Sequence, residues 1–106
     1  MTLNEYQKKA RKTAIYPKSA GIPYCTLGLT SEAGEVAGKL KKSYRGDTPW
    51  SFCKEQMLSE MGDTLWYLAM LAEELKTTLE QIAELNLEKL AKRKQENKLK
   101  GEGDNR

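Results

Sequence analysis

The chain has 106 residues, a net charge of +3 and no histidine. That size suits one small domain, and the missing histidine removes Ser-His-Asp and Cys-His catalysis, histidine zinc sites and the Glu-x-x-His pairs of ferritin-like di-iron bundles. Cys25 and Cys53 form no Cys-x-x-Cys pair, so structural zinc and redox disulfides have nothing to build on, and a reducing cytoplasm is the expected location. The longest apolar run, Leu65 to Ala72, falls far short of the ~20 residues of a membrane-spanning helix. Nor does the N-terminal MTLNEYQKKARK continue into the apolar stretch of a secretory signal.

Ala, Leu, Glu, Lys and Met dominate after residue 25 and polar–apolar alternation is not sustained, which predicts an all-α, four-helix fold. A first helix is expected from Thr2 or Asn4 to Tyr16, with Thr2 and Glu5 placed as a capping box and Pro17 stopping it. Residues Pro17 to Pro23 read as a linker. A second helix spans Tyr24 to Tyr44, carries Leu29, Val36 and Leu40 on its apolar side, and ends in the turn-rich Arg45-Gly46-Asp47-Thr48-Pro49. The third, Ser51 to Lys76, spaces Met57, Met61, Leu65, Leu68 and Ala72 for burial as the central core helix. Thr78 is placed as the N-cap of a fourth helix running to Leu99. The expected organisation is a single helical domain, 1–99, followed by a flexible tail, 100–106. Its modest size favours burying a remaining apolar face against a second copy.

Net charge along the chain runs +4 for residues 1–24, +1 for 25–49, −5 for 50–85 and +3 for 86–106, an acidic centre between basic ends. Positions i, i+3 and i+7 share a helix face, and three helices carry functional groups at that spacing. The second offers Glu32, Glu35 and Lys39, the third Glu60, Asp63 and Tyr67, and the fourth Asn86, Lys89 and Arg93. Each acidic pair fits a solvated stripe or a carboxylate cage for a hard cation. Glu60 and Asp63 interrupt an apolar run where carboxylates are costly to bury without a counter-charge or metal. All-oxygen ligands select Mg²⁺ or Mn²⁺, which bridge phosphate oxygens and activate water without a histidine base. Gly34, Gly38 and Gly62 lie in these helices, and a tight helix crossing there would bring the acidic faces together; a kink is the alternative.

The segment Leu29-Thr30-Ser31-Glu32-Ala33-Gly34-Glu35-Val36-Ala37, followed by Ser59-Glu60-Met61-Gly62-Asp63-Thr64-Leu65-Trp66-Tyr67-Leu68, resembles the ExxE…ExxD signature of MazG-like nucleoside triphosphate pyrophosphohydrolases. With Asn86-Leu87-Glu88-Lys89-Leu90 and Arg93, the resemblance spans residues 25 to 93. It implies a MazG-like all-α NTP pyrophosphatase fold, assembled as a homodimeric or homotetrameric helical bundle, with Glu32, Glu35, Glu60 and Asp63 as Mg²⁺ ligands. The implied reaction cleaves the α–β phosphate bond of a (deoxy)nucleoside triphosphate, giving monophosphate and pyrophosphate. Carried over by position, Glu32 or Glu35 orients the attacking water, and Asn86, Lys89 and Arg93 contact phosphate or sugar, often across a subunit interface. Lys39 is a further phosphate candidate. Tyr67, and Trp50 or Tyr24, are candidate walls for the nucleoside, whereas core or interface packing fits Trp66 and Trp50 better. Many relatives open the first motif with two adjacent glutamates; Ser31 stands in place of the first, which leaves the number of ions open.

Two rivals remain at this stage. The basic stretches at 8–12 and 89–94 suit a nucleic-acid-binding helical module, which gives no reason for four carboxylates among core positions. A non-catalytic helical dimerisation module has Ser31 as its only sequence hint.

Overall fold

The computed structural model of the chain describes residues 1–104. Four helices follow one another, α1 (Leu3–Arg11), α2 (Gly21–Tyr44), α3 (Trp50–Glu74) and α4 (Leu79–Gln95), with one 3-10 turn at Lys18–Ala20. The fold is all-α, with no strand among the described residues. Helices α2 and α3, joined by five residues, pack along their length as a hairpin, and α1 bridges α3 and the start of α4.

Local chemistry accounts for the helix ends. Thr2 and Glu5 form the expected capping box, and Thr78 Oγ1 accepts from the Gln81 N–H at 3.1 Å. Pro23 lies inside the first turn of α2, where a missing N–H breaks no intrahelical bond, so the helix begins three residues earlier than expected. Helix α1 stops at Arg11 rather than Tyr16. There the N–H groups of Lys12, Thr13 and Ala14 turn to carbonyls three residues back, and the Thr13 hydroxyl takes up the Trp66 indole. Helix α3 spans one residue more at its start and ends at Glu74, where Lys76 takes φ +62° and the Thr77 N–H closes on Ala72 C=O at 2.9 Å. Helix α4 ends at Gln95, short of Leu99, because Asn97 takes φ +58° and the Lys98 N–H returns to Arg93 C=O at 2.6 Å. Of the expected tail 100–106, residues 105 and 106 lie outside the described residues.

The core is small and lies where α1, α2, α3 and α4 converge: Ala10, Cys25, Ala69, Met70 and Leu79 are buried, packed by Tyr6, Ala14, Tyr16, Trp66, Tyr67, Leu68 and Leu71. Cys25 and Cys53 are free thiols with no exposure. Burial pushes the Cys25 thiol up, and its hydrogen bond with Tyr16 opposes that shift in part.

Several positions expected to be buried are open. Ala72 is buried and Met57 and Leu68 are half-buried, but Met61 and Leu65 are 51% and 37% exposed. One face of α3 covers α2 and the core; the adjoining face has no partner among the described residues. With α2 it leaves an apolar groove lined by Ala33, Val36, Met61, Thr64, Leu65 and Leu68. The chain is correspondingly extended. Its radius of gyration is 16.6 Å, against ~13 Å expected of a compact domain this long.

Candidate functional site

Helices α2 and α3 carry the candidate carboxylates toward each other. Glu32 from α2 and Glu60 and Asp63 from α3 each offer an oxygen, and these oxygens all lie within 4.8 Å of one another. Partial desolvation and the adjacent carboxylates of Glu60 and Asp63 raise the Glu32 carboxyl above its ordinary value, because a second and third negative charge disfavour ionisation. Lys39, one turn beyond Glu35 on α2, brings its ammonium 4.0 Å from Glu60, with both side chains largely covered. Glu35 is exposed and stands outside the three-carboxylate group, though its charge reaches Glu32.

Three hard anionic ligands from two helices fit a divalent cation of the Mg²⁺ class. Without a cation they form a repulsive cluster that one lysine only partly neutralises.

Beside the carboxylates lies an open cleft of about 370 Å³ lined by Thr13, Glu32, Asp63, Trp66 and Tyr67. Tyr67 is half-buried, and burial together with a hydrogen bond to Tyr24 raises its phenol. Trp66 and Tyr67 meet edge to face at 4.9 Å, Tyr16 stacks on Tyr24 at 5.4 Å, and Tyr16 also meets Trp66 edge-on at 6.4 Å. The Trp66 indole N–H donates to Thr13 Oγ1 at 2.8 Å, and that hydroxyl donates to Ala10 C=O at 2.7 Å. Trp66 is therefore a cleft wall as well as a packing residue. Thr13 carried no sequence signal, since it reaches the cleft only because α1 ends early. Trp50 sits exposed at the start of α3.

The close approach of helices is not at the glycines expected to provide it. A methyl at Gly34, Gly38 or Gly62 would meet open space, whereas one at Gly28 would overlap the Tyr67 ring and one at Gly21 would overlap Glu74. Gly28 is thus the position that lets Tyr67 lie against α2 beside the carboxylates.

The α4 candidates lie elsewhere. Among the described residues no Cα of α4 comes within 8 Å of one in α2, and Asn86, Lys89 and Arg93 do not line the cleft beside Glu32. Asn86 is exposed, Lys89 is half-buried and Arg93 is buried.

The MazG nucleotide pyrophosphohydrolase domain matches residues 24–97. The chain belongs to that family. The gene 37 protein of Mycobacterium phage L5 is 40% identical to it over 115 residues, covering the full length of both chains. No solved structure matches significantly. Both acidic pairs, Lys39, Tyr67 and the three α4 residues all fall inside the MazG match; Thr13 falls outside it. No described helix is long and apolar enough to cross a membrane.

Proposed function

We propose that this MazG-family chain is a Mg²⁺-dependent pyrophosphohydrolase that cleaves the α–β phosphate bond of (deoxy)nucleoside triphosphates, releasing monophosphate and pyrophosphate. The observation that carries the proposal is the convergence of Glu32, Glu60 and Asp63 within 4.8 Å from two helices beside an aromatic cleft. These three residues would hold the ion, with Glu35, on the same face of α2, as the fourth carboxylate of the set. Mn²⁺ would substitute on the same ligands. The bound ion supplies charge neutralisation at phosphate oxygens and a lowered pKa for a ligated water. Glu32 or Glu35 orients the attacking water, Lys39 adds positive charge at the rim, and Tyr67 walls the nucleoside.

Asn86, Lys89 and Arg93 contact phosphate or sugar in a site completed by a second copy of the chain. Two features favour a second copy: α4 stands clear of α2, and the groove at Val36, Met61 and Leu65 leaves apolar side chains uncovered. A homodimer or homotetramer would bury that groove.

The direct test incubates the eight ordinary ribo- and deoxynucleoside triphosphates and dUTP with Mg²⁺ or with chelator and identifies the products. Metal-dependent monophosphate and pyrophosphate is the expected result. Diphosphate and phosphate would place the attack at the terminal phosphorus and reject the proposal. Glu60→Gln or Asp63→Asn is expected to lower turnover at least 100-fold while leaving the oligomer in sedimentation unchanged; full activity in either variant would remove the carboxylates from the site. Mg²⁺ should raise the melting temperature of the wild type and not of these variants.

A further inference from the structure

The α4 cations assigned to phosphate are already engaged. Asp104 Oδ1 lies 3.0 Å from Lys89 Nζ and 3.0 Å from Arg93 Nη2, so one carboxylate oxygen is shared by an ammonium and a guanidinium. Arg93 Nη2 also donates to the Gly103 carbonyl at 3.4 Å. Sharing one anionic oxygen between a lysine and an arginine is what a phosphate oxygen would do in the same place. Arg93 is 7% exposed under these contacts and its Nε has no hydrogen-bond partner among the described residues. Lys89 and Arg93 hold the Asp104 carboxyl below the usual carboxylate range.

The backbone is built to return the segment to the helix. Asn97 ends α4 at φ +58°, and Gly101 and Gly103 take φ +123° and +77°, conformations that glycine adopts at little steric cost. The chain thereby reverses and sets Asp104 against residues 11 and 15 positions upstream.

We propose that residues 101–104 are an autoinhibitory clasp, in which Asp104 occupies the Lys89–Arg93 pair in place of a phosphate group and must be displaced before a polyphosphate can bind there. The inference rests on the assignment of Lys89 and Arg93 to phosphate. Asp104 is 78% exposed, so the clasp is a surface ion pair of modest strength, readily exchanged for a more highly charged anion. An apparent affinity falls in proportion to the unclasped fraction, which sets the expected penalty at roughly three- to tenfold.

The test titrates inorganic triphosphate, without metal, into the full-length wild type and the full-length variants D104N and D104N/K89Q by calorimetry. Tighter binding by D104N, roughly three- to tenfold, is expected, with the gain diminished when Lys89→Gln is added. Equal dissociation constants for wild type and D104N would overturn the clasp. So would a gain undiminished in D104N/K89Q, because the anion would then be bound elsewhere. Nucleoside triphosphate hydrolysis by the wild type, assayed in parallel, separates the two ideas. Turnover without a D104N gain rejects the clasp alone, whereas a D104N gain without turnover supports the clasp and rejects the pyrophosphohydrolase.

Discussion

Replacing Gln7 by Met should cost the domain about 2–4 kcal/mol, a large part of the ~5–15 kcal/mol typical of such folds. Gln7 is 2% exposed and joins α1 to the α3–α4 corner. Its Nε2 donates to Glu73 Oε1 at 2.9 Å and to Thr77 C=O at 3.1 Å, while its Oε1 accepts from the Leu79 N–H at 2.8 Å. Met keeps the length and nearly the volume, so the cavity contribution is small and the lost hydrogen bonds dominate. The two acceptors are half-buried and Glu73 keeps Arg11 at 3.7 Å, so each lost donation counts about 1 kcal/mol or less. The Leu79 N–H is different. It belongs to the first turn of α4, has no intrahelical acceptor, and sits on a residue only 5% exposed, so stranding it costs about 1–3 kcal/mol. Better burial of the apolar Met chain offsets part of the total. Urea denaturation and thermal melting at fixed protein concentration should show the loss, the melting temperature falling by on the order of 10–20 °C. A shift within about 3 °C would refute the reasoning, because it would mean that α1 is not pinned to α4 through this amide.

Three further outcomes follow from particular contacts. Gly28→Ala should destabilise by about 1–2 kcal/mol despite the helix propensity gained, since the methyl overlaps the Tyr67 ring; it should also raise KM for the nucleotide, as steady-state kinetics would read. The C-terminal turns of α2 and α3 place a left-handed residue at the same position, Gly46 at φ +91° and Lys76 at φ +62°, so Lys76→Gly should stabilise and Gly46→Ala destabilise, each by about 1 kcal/mol in denaturant melts. The raised Cys25 thiol gives stability that is fully present below the ordinary thiol value near pH 8.5 and lost as pH rises through its higher folded value. Stability measured from pH 7 to 10 should therefore decline above that point, and the decline should be shallower in Cys25→Ala.

Much of the architecture is legible from local chemistry. The Thr2–Glu5 box, Thr78 as a cap and Gly46 as a stop act on their own helices within a few residues, and each stands where it was expected. The pairs Glu32 with Glu35 and Glu60 with Asp63 were likewise legible, because helical periodicity places i and i+3 on one face whatever surrounds them. Local signals failed where a distant group supplied the decisive contact. Thr13, just past the early end of α1, meets the Trp66 indole 53 positions away, a contact no local pattern announces. Met61 and Leu65 satisfy the apolar period of α3 yet remain open, since a period identifies a face but not the element that covers it.

By itself, then, the sequence determined the four helices, the Thr2 and Thr78 caps, the acidic pairs and the family to which they belong. Only the tertiary structure decided that Glu32 meets Glu60 and Asp63 while Glu35 stands outside, that Gly28 rather than Gly34 admits the close contact, and that Asp104 lies on Lys89 and Arg93. The physical reason is one of range. Backbone hydrogen bonds four residues apart set a helix and its faces, but the rotation and offset of one helix against another come from packing of side chains far apart in sequence.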